Sequence, residues 1–258
     1  MDCQNRRYLK VLNRIESGLP ARQAEPMPLN NSLPLKDHVN PQKHLNPQKA
    51  MLSKFWAEHF LFSIDEIEAF DSVKREDFVL PQMKGSAYED LPLPILRGKT
   101  ISQPTTVMLM THALELDLGD KVFEVGTGSG YQSAIIATII GPKGKVVSTE
   151  VIPELIHFAK SNLKKSKITN VEIHEADGSR GLEKEAPFDR IIITAACKEF
   201  PKPLLDQLKF GGIIVGPVGD ANEQEMVKGT KREDGKMEYE FLGQFLFSPM
   251  VGKWGFED

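Results

Sequence analysis

One stretch constrains this chain more than any other: Lys121-Val122-Phe123-Glu124-Val125, then Gly126-Thr127-Gly128-Ser129-Gly130, then Tyr131 to Ile140 closed by Gly141-Pro142. A β-branched and aromatic run, a glycine-rich turn and an apolar helix follow one another directly. The alternation continues downstream. Lys145 to Thr149 is a Val-rich strand ending at Glu150, and Pro153 opens a helix to about Lys165, since proline is tolerated in a helix's first turn. Val171 to His174 gives a third strand and Ile191-Ile192-Ile193 a fourth. Leu204, Leu205 and Leu208 mark a helix stopped by Gly211-Gly212, and Ile213 to Val218 forms a fifth strand. Strands this continuously apolar, alternating with helices, belong in a parallel sheet covered on both faces. Phe241 to Met250 adds β character without an intervening helix, so the far edge is expected to be antiparallel. The predicted fold is α/β, doubly wound and mostly parallel.

Upstream, Phe55, Trp56, His59, Phe60, Phe62, Ile64, Ile67 and Phe70 recur at three- and four-residue spacings, which predicts a cap of one or two packed helices. The first fifty residues differ in texture. They hold eight Lys+Arg against four Asp+Glu, a balance of +4, so a chain of total charge −4 carries −8 on residues 51–258. Six prolines, six asparagines and a tandem hexapeptide, residues 38–43 and 44–49, predict a flexible arm over 1–50 ahead of one domain over 51–258. Two copies are too few for a solenoid. His38 and His44 have no Cys or carboxylate cluster beside them, so no metal site is expected. No apolar run reaches a membrane span, and no apolar segment follows Arg6-Arg7 as a secretion signal requires. With only Cys3 and Cys197, no disulfide framework arises and the expected compartment is the reducing cytoplasm. The acidic balance argues against nucleic acid as a partner.

In doubly wound folds ligands bind beyond the carboxyl ends of the strands, where helix N-termini offer unpaired N–H groups. The turn at 126–130 lies there. Glu150, ending the next strand, stands where a carboxylate accepts from ribose hydroxyls. A dinucleotide fingerprint asks for Gly or Ala where Tyr131 stands, and no Gly-Lys-Ser/Thr follows the turn, so NAD and a Walker nucleotide are both disfavoured. Glu124 would repel a pyrophosphate and attract a cationic amine or sulfonium, which suits S-adenosyl-L-methionine. Asp177-Gly178 ends the third strand, where an Asp can accept from an adenine amino group or form an Asx turn.

The blocks Val122 to Gln132, Ala87-Tyr88-Glu89-Asp90 through Ile95, Thr100-Ile101-Ser102-Gln103-Pro104, Pro187-Phe188-Asp189, Thr194-Ala195-Ala196 and Gly216-Pro217-Val218-Gly219 resemble the protein-L-isoaspartate (D-aspartate) O-methyltransferase family, in order from about Met51 to the end. The resemblance implies a Rossmann-like methyltransferase sheet. It also implies a cytoplasmic enzyme that methylates the free carboxylate of L-isoaspartyl residues in damaged proteins, the ester then cyclising to a succinimide; the sequence leaves the oligomeric state open, and a monomer is the expectation. By it, Ser102 matches the active-site serine. Glu124, Gly126, Thr127, Gly128, Ser129, Gly130, Glu150, Asp177 and Gly178 would hold the cofactor. Thr100, Ile101, Thr194, Ala195, Ala196, Pro217 and Val218 would line the substrate cleft. Leu91 and Leu96-Arg97-Gly98-Lys99 depart from the family's pattern beside that cleft. A helix N-cap is the bland alternative for Ser102. Cys197 follows the fourth strand as a nucleophile of a pyrimidine methyltransferase would, but no proline precedes it, and a buried bystander thiol is the plainer reading. A cofactor-binding protein without turnover is the remaining alternative.

Overall fold

The computed structural model describes residues 46–59 and 62–256. The expected flexible arm, with His38 and His44, lies outside them up to residue 45. The second hexapeptide copy opens helix α1 (Pro47–His59), four residues ahead of the expected domain start. Asn46 caps it, its Oδ1 accepting the Gln48 N–H at 2.9 Å, with Pro47 at the position where a missing N–H costs nothing. Helix α2 (Ile64–Ser72) begins in a capping box: Ser63 Oγ accepts the Glu66 N–H while the Ser63 N–H reaches the Glu66 carboxylate. A short hairpin of β1 (Leu93–Pro94) and β2 (Thr100–Ile101) leads into helix α3 (Pro104–Ala113).

The main sheet has seven strands in the order β5-β4-β3-β6-β7-β8-β9. Strands β3 (Lys121–Val125), β4 (Lys145–Glu150), β5 (Val171–Glu175), β6 (Phe188–Ile193) and β7 (Leu208–Gly219) pair in parallel. Helices α4 (Tyr131–Ile139), α5 (Pro153–Lys165) and α6 (Lys202–Gln207) connect them, as the sequence pattern requires. Phe123, Ile191, Ile193 and Ile214 fill the core on one face, and Val122, Ile192, Ile213 and Val215 fill it on the other. Double burial is why these strands read as unbroken apolar runs. A third cluster joins Trp56, Phe70 and Phe78 of the cap to Tyr131, Leu155 and Ala159 of the connecting helices.

Three expectations are corrected here. Leu208 is not helical: α6 stops at Gln207, and Leu208 begins β7 opposite Phe188. Gly211-Gly212 is no stop signal but lies within β7, where the register slips between Phe188 and Arg190. The late β region holds two strands, β8 (Gln224–Lys231) and β9 (Met237–Phe245), both antiparallel, and residues 248–250 make only a bridge from Pro249 to Ala196. The antiparallel edge itself is as predicted.

Candidate active site

The chain runs from β3 through β4 to β5 on one side, then returns to β6 and beyond on the other. That reversal leaves a crevice between the ends of β3 and β6, the usual ligand position in such sheets. The glycine turn sits in it. Gly126 and Thr127 both donate to the Thr149 carbonyl, at 2.9 and 3.1 Å, and the Thr194 N–H donates to the Val125 carbonyl at 3.0 Å. Thr194 Oγ1 donates to the Gly126 carbonyl at 2.6 Å. Three strand ends are thereby tied together. Gly126 has φ +94°, and a Cβ there would lie 2.6 Å from Thr194 Oγ1, so only glycine fits. Tyr131, read from sequence as too large for close packing, turns into the core 1% exposed against Phe78. Gly130 makes the close approach instead, its missing Cβ 3.3 Å from Ala159 Cβ.

Glu150, 8% exposed, ends β4 beside the turn. Its Oε2 accepts the Gly128 N–H at 3.0 Å, and its Oε1 accepts the N–H groups of Val151 and Ile152 at 2.9 and 3.1 Å. Glu124 is fully buried. Ser133 and Ser148 both donate to its Oε2, Ser148 at 2.6 Å, and Ser148 is in turn bonded to Thr127 Oγ1 at 2.6 Å. Glu124 therefore reaches the turn through Ser148 and Thr127 rather than by facing the crevice. Its Oε1 is buried without a partner. Burial pushes its pKa up to about 7 against the two serine hydroxyls, with the Glu150 charge adding to the rise. Ser148 and Ser133 were not singled out from sequence. For Ser148 the signal was the polar pair Ser148-Thr149 inside a Val-rich strand, and Ser148 stands opposite Glu124 in the β3–β4 register.

Asp177 follows β5. Its Oδ1 accepts Ser179 N–H and Oγ–H at 3.0 and 2.6 Å, and its Oδ2 accepts Arg180 Nε and the Lys253 N–H at 3.1 and 2.9 Å. The Asx turn is thus present, and the C-terminal segment closes over it. These bonds hold the Asp177 carboxyl below its usual range despite the opposing cost of burial, which is the largest single influence. Gly178 is packed so closely that a Cβ would meet Thr149 Oγ1 at 2.3 Å.

After β6, Ala196 exchanges hydrogen bonds with Ser248 and Met250, at 2.8 Å each. Cys197 pairs with Val218, its N–H donating to the Pro217 carbonyl at 3.0 Å. Thr194, Ala195 and Ala196 are thereby brought alongside Pro217 and Val218. Cys197 itself is fully buried, and burial pushes its thiol up to about 12, so it is no thiolate nucleophile.

The hairpin caps the turn from above. Ile95 Cδ1 lies 3.9 Å from where a Gly128 Cβ would stand, and Arg97 pairs with Glu154 at the start of α5. Thr100 is exposed, Ile101 is 4% exposed in the core, and Ser102 is half-buried directly after the hairpin. Ser102 is not the N-cap of α3. That residue is Gln103, which makes no side-chain cap bond; Asp90 takes the role, accepting the Thr105 N–H at 2.9 Å.

The Glu150 carboxylate at the turn suits a hydroxyl-bearing or cationic ligand and repels phosphate. A glycine turn at the switch point, an acid ending the next strand and this sheet order define an S-adenosylmethionine-dependent methyltransferase. Comparison with known proteins narrows the class. The chain belongs to the protein-L-isoaspartate(D-aspartate) O-methyltransferase family, whose sequence model matches residues 46–255. A protein-L-isoaspartate O-methyltransferase of Methanopyrus kandleri is 45% identical over 192 residues, covering 74% of this chain and 85% of that protein. A solved protein-L-isoaspartate O-methyltransferase superposes with TM-score 0.73 at 28% identity, over 80% of this chain and 67% of the other. A Plasmodium falciparum chain described as a beta-aspartate methyltransferase, in complex with S-adenosyl-L-homocysteine, shares the fold with TM-score 0.70 at 24% identity, over 80% and 99% of the two chains. Among the described residues no helix is long and apolar enough to cross a membrane.

Proposed function

We propose that the chain transfers a methyl group from S-adenosylmethionine to the free α-carboxylate of L-isoaspartyl residues in proteins, starting their repair through a succinimide. The cofactor supplies an electrophilic methyl on a sulfonium. Gly126, Thr127, Gly128, Ser129, Gly130, Glu150 and Gly178 shape its site, with Glu150 presenting Oε2 to the ribose. Glu124 supports the turn from within through Ser148 and Thr127. Asp177, its oxygens taken by Ser179, Arg180 and Lys253, braces the floor of the site instead of binding the adenine. The acceptor needs no general base, because an aspartyl-type carboxyl with reference pKa near 3.9 is already ionised at neutral pH. What it needs is orientation, which supplies up to about 7–11 kcal/mol of barrier lowering. Ser102 donates from its hydroxyl to one carboxylate oxygen and aims the other, while Thr100, Ile101, Thr194, Ala195, Ala196, Pro217 and Val218 grip the surrounding backbone.

The carrying observation is that the hairpin ending at Ser102 rests on the glycine turn through Ile95. The reading takes the enzyme as a monomer. The −8 balance over residues 51–258 supports protein rather than nucleic acid as acceptor, and the reading places the enzyme in the cytoplasm. The test gives purified protein labelled S-adenosylmethionine with an isoaspartyl peptide and its aspartyl twin. Base-labile label on the former alone is expected. Label on neither, with cofactor still bound, overturns it.

A further inference from the structure

A helix beginning just after a serine ordinarily draws that hydroxyl onto its free N–H groups. Helix α3 begins two residues after Ser102, with Pro104 in its first turn, so its first available donor is the Thr105 N–H. Gln103 and Ser102 leave that donor alone. Asp90 takes it from 15 residues away, at 2.9 Å, and its second oxygen accepts Thr105 Oγ1 at 2.7 Å. Thr105 Oγ1 accepts Trp56 Nε1 at 2.9 Å, which fixes the direction of the whole chain of bonds. The guanidinium of Arg75 is fully buried and attracts the Asp90 carboxylate; its Nε donates to the Ala87 carbonyl at 2.8 Å, and its other two nitrogens have no partner among the described residues. The same guanidinium lies 5.0 Å from the centre of the Tyr131 ring, the residue directly after the glycine turn. One buried cluster thus touches both halves of the site.

We infer that Asp90 is a positioning residue for methyl transfer: by capping α3 through Thr105 it leaves the Ser102 hydroxyl free and aimed at the acceptor carboxylate. This rests on the reading of Ser102 given above. Once Asp90 is lost, the Thr105 N–H is uncapped and draws on the Ser102 hydroxyl three residues upstream, which turns inward and leaves the acceptor. A misplacement of about 1 Å costs up to about 100-fold in rate.

A double-mutant cycle tests it. Wild type, Asp90→Ala, Ser102→Ala and the double variant are compared for kcat and KM with an isoaspartyl peptide, for S-adenosylhomocysteine affinity and for melting temperature. Asp90→Ala, which removes the acceptor of the Thr105 N–H, is expected to lower kcat about tenfold with cofactor affinity unchanged, whereas Asp90→Asn, which keeps a capping oxygen, should stay within about twofold of wild type. On the Ser102→Ala background Asp90→Ala should lower kcat less than about twofold, although the melting shift is the same on both. Equal fractional losses of kcat on both backgrounds would show a merely structural Asp90 and overturn the inference. Wild-type kcat in Ser102→Ala alone would instead overturn the reading of Ser102. Should Asp90→Ala fail to fold, Asp90→Glu repeats the cycle, since its extra methylene displaces the carboxylate from the Thr105 N–H while keeping the charge.

Discussion

The Glu150 carboxylate holds the Gly128 N–H at 3.0 Å, so the acid at the end of β4 and the middle of the glycine turn form one rigid unit. Its other oxygen is occupied by Val151 and Ile152. An ionised carboxylate offers about four acceptor positions, of which three are used, leaving room on Oε2 for a ribose hydroxyl. Glu150→Ala removes both that acceptor and the brace on the turn. Hydrogen bonds to charged groups contribute about 1.5–3 kcal/mol, so S-adenosylhomocysteine affinity should fall about 10- to 100-fold by calorimetry. Unchanged affinity would remove Glu150 from the cofactor site.

Gly178 stands where the sheet cannot yield. A Cβ there would sit 2.3 Å from Thr149 Oγ1 and 2.8 Å from Val125 Cγ1, and both belong to strands that carry the turn. Gly178→Ala should therefore destabilise by about 1–3 kcal/mol, the usual cost of forcing atoms into a packed core. Gly85 has nothing within 4 Å of its Cβ position and is the control: Gly85→Ala should melt within a degree or two of wild type or above it. Equal melting of the two variants would contradict the packing described.

The central parallel strands were readable because burial on both faces leaves them mostly apolar, with Glu124 and Ser148 among the polar exceptions. Strand β8 was not. Glu225, Lys228 and Lys231 interrupt it, and Gly229 is present because a Cβ would meet Ile214, Met237 and Tyr239 at 3.0 Å, a reason visible only once β9 and β7 flank it. The site divides the same way. Residues whose role follows from chain position, such as the turn glycines and Glu150, could be picked out directly. The side-chain environment of Glu124 could not, because its partners are set by α4 and by the β3–β4 register, 9 and 24 residues along the chain. Asp90 was legible only as part of a family-like block, since its bond to Thr105 depends on how the hairpin folds back.

Ser102 has its hydroxyl free of the helix it precedes, which makes it available to the acceptor. Ser102→Ala should lower kcat on an isoaspartyl peptide about 10- to 100-fold, the span of one hydrogen bond to a charged group. Cofactor affinity should not move. Full turnover in the variant would leave the residue without a catalytic role.

Cys197 is buried, its Sγ 3.5 Å from the Pro217 carbonyl. On a Cys3→Ser background the folded chain should resist thiol reagents at pH 8, and Cys197→Ser should keep methyl transfer within about twofold, since only an exposed thiolate is reactive. Rapid labelling of the native protein would show that the 194–197 segment opens.

Glu124 carries a pH signature. Its carboxyl titrates at about 7 in the folded chain against 4.5 as the ordinary value, because burial outweighs the serine hydroxyls and Glu150 adds repulsion. The neutral form is thus the one the fold favours. Below about pH 4.5 the group is protonated in both states and contributes no penalty. Between 4.5 and 7 the unfolded chain releases a proton that the folded chain retains, so stability falls as pH rises. Above 7 both states are ionised and the penalty is constant, on the order of 3 kcal/mol at about 1.4 kcal/mol per pKa unit. Glu124→Gln abolishes the titration and keeps an acceptor for Ser133 and Ser148. The variant should therefore gain stability relative to wild type from pH 4.5 to 7 and hold a steady difference above it, measured by denaturant unfolding at each pH. Subtracting the two proteins cancels the titrating groups that do not interact with position 124, His112 among them, and leaves Glu124 with its Glu150 coupling. A difference that ignores pH would mean that the folded carboxyl titrates as it does in the unfolded chain, and that burial does not raise it.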